Sequence, residues 1–185
     1  MLSPLLASLG IRPLEATDAD ELYALIKANP DLAEWMPWAE EQDLVRTERF
    51  IADAEEQHLD DNGFQAAIEP EGRIIGVVGF HAINWMNRST SIGYWLAESA
   101  RGRGIMTTAV SALLDHAFYE WDLHRVEIRC APDNHRSRAI PERLGFREEA
   151  RLRETELVAG SYLDSIVYGM LAGDWADRSQ SLDAS

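Results

Sequence analysis

Two arginines and two glycines in succession, Arg101-Gly102-Arg103-Gly104, are the strongest chemical signal in this chain. Glycine lets a backbone approach a ligand closely and take a positive φ at little steric cost. A helix opening after such a turn aims its free N–H groups and the positive end of its dipole at whatever lies there. That arrangement receives a phosphate or pyrophosphate, and the arginines add charge and donors. A tight strand-to-helix turn with solvated arginines would use the same four residues, so the flanking elements must decide. Other reactive types give weaker signals. His81, His116, His124 and His135 share no spacing that suggests a metal or a triad. Cys130 alternates with Val126 and Ile128, which reads as buried packing rather than a nucleophile.

The turn lies inside the stretch Ser91 to Trp121. Ser91 to Ala97 reads as a strand. Ile105 to Trp121 reads as one helix with Met106, Ala109, Val110, Leu113, Leu114, Ala117, Phe118 and Trp121 on a broad apolar face. Arg125 to Cys130 alternates cleanly as a second strand. A strand, a helical crossover and another strand imply a parallel, right-handed pairing.

Before this unit, Gly10 to Leu14 reads as a short strand. Thr17 or Asp18 caps a helix running to about Ala28, with Leu22, Leu25 and Ile26 inward. Trp35-Met36-Pro37-Trp38 is a loop with a large apolar payload. A helix from about Gln42 to His58 follows, with Leu44, Val45 and Phe50 as its anchors. Phe64 to Glu69 and Arg73 to His81 complete an antiparallel meander with the strand at Ser91. After the crossover, Asp133 or Asn134 starts a helix that Gly145 ends. Phe146 to Val158 and Tyr162 to Leu171 form a hairpin around Ala159-Gly160. The expected fold is α+β: a twisted mixed sheet with helices on both faces, a β-α-β crossover and a C-terminal hairpin. Residues 1–175 read as one domain, and 176–185 as a polar, frayed tail.

Composition narrows the partners. Hydrophobic residues make up 46% of the 185, enough for a sizeable core. The net charge is −15, and residues 1–71 hold 17 Asp/Glu against 4 Lys/Arg. That half is unsuited to nucleic-acid phosphates and could attract a cationic substrate, or serve solubility alone. No apolar run is long enough to span a membrane, and the N-terminus lacks a basic leader region. The lone cysteine fits a cytoplasmic setting. No metal cluster is expected.

With these stretches in hand, the chain resembles the GNAT superfamily of acyl-CoA-dependent N-acyltransferases, in its RimJ/RimL-type branch. Arg101-Gly102-Arg103-Gly104-Ile105-Met106 fits the family's Gln/Arg-x-x-Gly-x-Gly/Ala turn in five of six places, Met106 departing at the last. Gly93-Tyr94-Trp95-Leu96, Leu123 to Glu127, Asn134 to Ser137 and Arg143-Leu144-Gly145-Phe146 follow the family in order and spacing, as do Arg12-Pro13-Leu14 and the tryptophan loop. The resemblance covers about Ile11 to Trp175.

It implies acetyl-CoA as co-substrate and a primary amine that attacks the thioester directly in a ternary complex. Arg101, Gly102, Arg103, Gly104, Ile105 and Met106 would hold the pyrophosphate. Trp95, Leu96 and Ala97 would offer a strand edge to the pantetheine arm, with a backbone N–H near Leu96 facing the thioester oxygen. Asn134 would hold a pantetheine amide, or simply cap its helix. Ser137 would stand near the sulfur, on a helix that Pro141 makes irregular because it cannot donate to the Ser137 carbonyl. Glu156 would take the proton of the amine, directly or through water, with Glu154 and Asp164 behind it. The expected acceptor is a protein N-terminal α-amine. A polyamine or aminoglycoside acceptor, or a CoA-binding sensor without turnover, are the alternatives. A nucleotide site is disfavoured because no Gly-Lys-Ser/Thr follows the turn. The tryptophan loop and closing hairpin suggest a homodimer or larger homo-oligomer.

Overall fold

The structure is a computed structural model that describes residues 4–183, with side chains as far as residue 178. Among these residues, seven strands form one mixed sheet in the order β1-β2-β3-β4-β5-β7-β6. These are β1 (Ile11–Pro13), β2 (Gln65–Ile68), β3 (Gly76–Phe80), β4 (Ser89–Leu96), β5 (Arg125–Cys130), β6 (Arg147–Val158) and β7 (Ser161–Leu171). The first four make an antiparallel meander, β4 and β5 pair in parallel, and β7 pairs antiparallel with both β5 and β6. Helices α2 (Ala19–Lys27) and α3 (Leu44–Leu59) pack on one face. Helices α1 (Pro4–Ser8), α4 (Ile105–Asp115), α5 (His135–Leu144) and α6 (Ala172–Asp183) pack on the other. This is the expected α+β architecture with the expected crossover.

The two faces divide β4 by alternation. Ile92 and Leu96 join the core beneath α4, while Trp95 joins the core beneath α2 and α3. The same alternation on β5 buries Val126, Ile128 and Cys130 with α4 and leaves Arg125, Glu127 and Arg129 on the other side.

Three local readings need correction. Helix α3 buries Thr47, Ile51 and Ala54, whereas Val45 is 71% exposed and Phe50 is half-exposed. Asp43 caps it by accepting the Arg46 amide at 2.7 Å. That start puts Leu44, Thr47, Ile51 and Ala54 on one stripe, and Val45 and Phe50 fall off it. The crossover helix does not run unbroken to Trp121. Its α-helical part ends at Asp115, and His116–Glu120 form a wider π turn closed by Trp121 N donating to His116 O. The extra residue swings Trp121 into an aromatic cluster, 4.5 Å from the His116 ring and 4.9 Å from Phe80. Finally, α6 continues past Trp175 through most of the stretch expected to fray, tied down by Trp175 Nε1 donating to Asp115 Oδ1 at 2.8 Å.

Candidate active site

The parallel pairing of β4 and β5 is short. It joins Ser89 to Arg125, Thr90 to Val126 and Ser91 to Glu127, and then the strands part. On its other edge β4 stays paired with β3, where Ala97 N donates to Ile75 O and His81 N to Ser91 O. That register turns the amides of Ser91, Gly93, Trp95 and Ala97 toward β3. The amides of Tyr94 and Leu96 therefore face the opening. Of the expected strand-edge residues, Leu96 alone presents its backbone there. Trp95 contributes an indole on the α2/α3 face, 6.2 Å from Trp38.

The glycine turn follows directly. Arg101 is folded inward: its Nε donates to Leu96 O at 3.0 Å and its Nη1 pairs with Asp31. It clamps the turn to the end of β4. Gly102 and Gly104 have φ of 74° and 78°, a conformation that favours glycine. A Cβ at either would meet nothing within 4 Å, so the cradle is open. Gly104 caps α4, and the first amides of that helix have no intrahelical partner. Met106, the departure from the family pattern, is buried in the core beneath the helix, which leaves the mouth of the turn clear. Arg103 is exposed at the turn. Arg143, which the sequence reading missed, donates to Thr107 Oγ1 at 3.0 Å and brings another cation to this helix end.

Helix α5 starts across the opening. Asn134 caps it, its Oδ1 accepting the Ser137 amide at 3.0 Å, which commits that oxygen and leaves the Nδ2 donors. Ser137 Oγ lies 3.1 Å from Cys130 Sγ and donates to Tyr94 Oη at 3.3 Å. Tyr94 Oη in turn donates to Ser137 O at 3.1 Å. That is the carbonyl that Pro141 cannot serve. Helix α5 nevertheless runs unbroken from His135 to Leu144, so the proline is accommodated rather than disruptive. Burial pushes the Cys130 thiol up and the Tyr94 phenol well up, so both stay protonated at neutral pH. Cys130 is 5% exposed, in keeping with packing.

The opposite mouth is a cleft of about 890 Å³ between the sheet and the α2/α3 layer. Trp35, Met36, Trp38 and Phe50 supply its apolar wall. Its charged lining is Arg46, Arg49, Arg129, Asp53 and Glu156, so the cleft is not acidic although the chain is. Of the three carboxylates proposed from the sequence, Glu156 alone lines this cleft. Glu154 has a φ of 53° inside a bulge of β6 that shifts the register between Leu152 and Glu156. Asp164 holds that bulge: Oδ1 accepts the Glu154 amide at 3.0 Å and Oδ2 pairs with Arg151 at 2.8 Å. These bonds hold the Asp164 carboxyl below the usual range. His81 also reaches the cleft, an outcome its sequence spacing gave no hint of. Only the pairing of the end of β3 with the start of β4 carries it there.

Among the described residues, no group of three or more His, Cys, Asp or Glu could hold a metal ion, and no helix is long and apolar enough to cross a membrane. The opening, the glycine cradle and the free amide edge suit an extended, amide-bearing carrier with a diphosphate, entering from the α4/α5 side.

Comparison with known proteins agrees with this geometry. The Acetyltransferase (GNAT) domain family matches residues 8–147. The putative ribosomal N-acetyltransferase YdaF of Bacillus subtilis is 39% identical over 168 residues, covering 89% of this chain and 92% of that protein. Among solved structures, the ribosomal L7/L12 α-N-protein acetyltransferase RimL in complex with coenzyme A superposes with a TM-score of 0.84 at 28% identity, over 89% of this chain and 94% of that one. The microcin C7 self-immunity acetyltransferase MccE, in complex with acetyl-CoA and AMP, has a TM-score of 0.83 at 28% identity, over 92% and 98%. The chain belongs to the GNAT acetyltransferase family and is an acetyl-CoA-dependent N-acetyltransferase.

Proposed function

We propose that this enzyme acetylates the N-terminal α-amine of a protein or peptide, by direct attack on acetyl-CoA in a ternary complex. The observation that carries this reading is the acceptor cleft. It is broad, walled by tryptophans, and carries three arginines against two carboxylates. A polyamine would meet net positive charge there, whereas a peptide brings one ammonium with apolar and acidic side chains. RimL is named as a ribosomal L7/L12 α-N-protein acetyltransferase and YdaF as a putative ribosomal N-acetyltransferase, which supports the same acceptor class.

In this reading acetyl-CoA supplies the activated thioester. The amides from Gly102 to Met106 receive its pyrophosphate, with Arg103 adding charge and Arg101 holding the turn in shape. The free edge of β4 carries the pantetheine arm through the outward amides of Tyr94 and Leu96, while Trp95 and Ala97 stay bonded to β3. The Leu96 N–H faces the thioester oxygen as charge develops on it. Asn134 Nδ2 donates to a pantetheine carbonyl. Ser137 turns its hydroxyl proton from Tyr94 Oη to the departing sulfur. Glu156 draws in the ammonium and receives its proton, directly or through water. A cytoplasmic setting fits a protonated, buried lone cysteine. Self-association through the hairpin tip, where Leu157 and Tyr162 are exposed, completes the proposal.

The test is thiol release from acetyl-CoA with free peptides, N-terminally blocked peptides and spermidine in parallel. Turnover confined to free peptides supports the reading. Turnover confined to spermidine would replace it with the small-amine alternative.

A further inference from the structure

We infer that His81 is the general base that first takes the proton from the attacking amine. This rests on the acetyl-transfer reading above and changes one step of it: Glu156 receives the proton from the His81 imidazolium instead of taking it from the amine itself.

His81 stands at the end of β3 and faces the acceptor cleft. Two contacts fix it. Its backbone N–H donates to Ser91 O at 2.9 Å, and its Nδ1 lies 2.9 Å from Ser91 Oγ. With the Nδ1 proton given to that hydroxyl, the ring lone pair is on Nε2. The Nε2 edge overhangs Gly93: a Cβ at that position would stand 2.9 Å from both Cε1 and Nε2. The glycine makes room for the ring. Ser91 is the last residue of β4 paired with β5, so Gly93 is among the first residues beyond the parting of the strands. A nitrogen arriving from the acceptor cleft to meet a thioester in that opening passes the Nε2 edge.

The charged groups sharing the cleft are Arg129 on β5, Glu156 on β6, and Arg46, Arg49 and Asp53 on α3. Partial desolvation of the ring in the cleft, and then the charge of Arg129, hold the His81 imidazole below its ordinary pKa and favour the neutral base at pH 7. The ammonium gives one proton to Nε2. The freed nitrogen pair forms the C–N bond with the acetyl carbon as the C–S bond breaks. The bonding pair leaves on sulfur, which takes the second nitrogen proton. Glu156, exposed at the mouth of the cleft, passes the first proton from the imidazolium to solvent.

The experiment compares the parent with His81→Gln, His81→Ala and Arg129→Gln. Thiol release is followed with a free peptide and with acetyl-CoA alone, where water replaces the amine and uses the same base. The expected result is a kcat lower by roughly 100-fold in both His81 variants, with the KM for acetyl-CoA unchanged. Added imidazole restores part of the rate in His81→Ala. In Arg129→Gln the acid limb of the kcat profile moves to higher pH, because the charge that lowers the imidazole pKa is gone. Parent-like kcat in both His81 variants would overturn the inference. So would a loss of rate that imidazole does not restore, together with an unmoved limb in Arg129→Gln. If the peptide is not acetylated but hydrolysis still depends on His81, the peptide reading fails and the base stands.

Discussion

Tyr94 Oη donates to the carbonyl of Ser137 at 3.1 Å and accepts the Ser137 hydroxyl at 3.3 Å. One phenol thus serves a backbone acceptor orphaned by Pro141 and orients the side chain proposed to meet the sulfur. Cys130 completes the chain as a donor to Ser137 Oγ, since the other two protons are already committed. Tyr94→Phe removes the link. It is expected to cost about 1–2 kcal/mol of stability, a fall in Tm of roughly 2–8 °C, because a half-buried carbonyl loses its partner. It should also lower kcat by about tenfold with little change in the KM for acetyl-CoA. Adding Pro141→Ala supplies the missing N–H and should recover part of the stability but none of the rate. A double variant no more stable than Tyr94→Phe, measured by thermal melts, would refute the shared-carbonyl account.

The cradle at the start of α4 is open in space but restricted in backbone. At Gly104, φ is 78° and no atom stands within 4 Å of a prospective Cβ. Substitution is therefore penalised by conformation and by occupation of the cradle, not by a clash with the protein. Gly104→Val should cost about 1–2 kcal/mol through the left-handed φ. The same variant should weaken acetyl-CoA by at least about tenfold as the amides tilt away from the anion. Calorimetric titration of acetyl-CoA reads this directly, and an unchanged Kd would mean that the pyrophosphate binds elsewhere.

Such features were legible because they are local. A positive-φ glycine pair, an alternating strand and a 3.6-residue stripe each declare themselves within a dozen residues, which is why the crossover, the Asn134 cap and the Gly145 stop are where the sequence puts them. What escaped depends on phase or on distant partners. Val45 and Phe50 are apolar, but the Asp43 cap sets a helical phase that turns them outward. The π turn at His116 accompanies an aromatic cluster that joins His116 and Trp121 to Phe64 and Phe80, which are distant in the chain. His81 enters the cleft only through the register of β3 on β4. Glu156 could be singled out by family resemblance. The reason it, and not Glu154 or Asp164, reaches the cleft is a bulge that no local pattern announces.

The entry to α2 makes a pH-dependent contribution. Asp18 is 6% exposed, takes two hydrogen bonds from Arg12 at 2.8 Å and one from the Glu15 amide at 2.8 Å. Burial alone would raise its carboxyl, but the guanidinium and the amide together hold it below the ordinary range. A depressed carboxyl stabilises the fold above its unfolded pKa of about 3.9, and that contribution is lost as pH falls through the folded value. Asp18→Asn should therefore lie about 1–3 kcal/mol below the parent at pH 7. The gap should close below about pH 4. Thermal melts across that range check it, and a gap independent of pH would show that the carboxylate charge is not what Arg12 holds.

Asp164 tests whether the β6 bulge exists to aim Glu156. Its two carboxylate oxygens are divided between the Glu154 amide and Arg151, so the carboxylate pins the left-handed residue that breaks the register. Beyond the break, Glu156 pairs with Leu163 and reaches the cleft. Asp164→Asn keeps the shape of the side chain but gives up the charge that Arg151 pairs with. It should lower kcat toward the level of Glu156→Gln while leaving the affinity for acetyl-CoA intact, since the cradle lies on the other side of the sheet. Because the two changes act on one carboxylate, Asp164→Asn/Glu156→Gln should be little slower than Glu156→Gln alone. Multiplicative losses in the double variant would mean that Asp164 acts on turnover independently of Glu156.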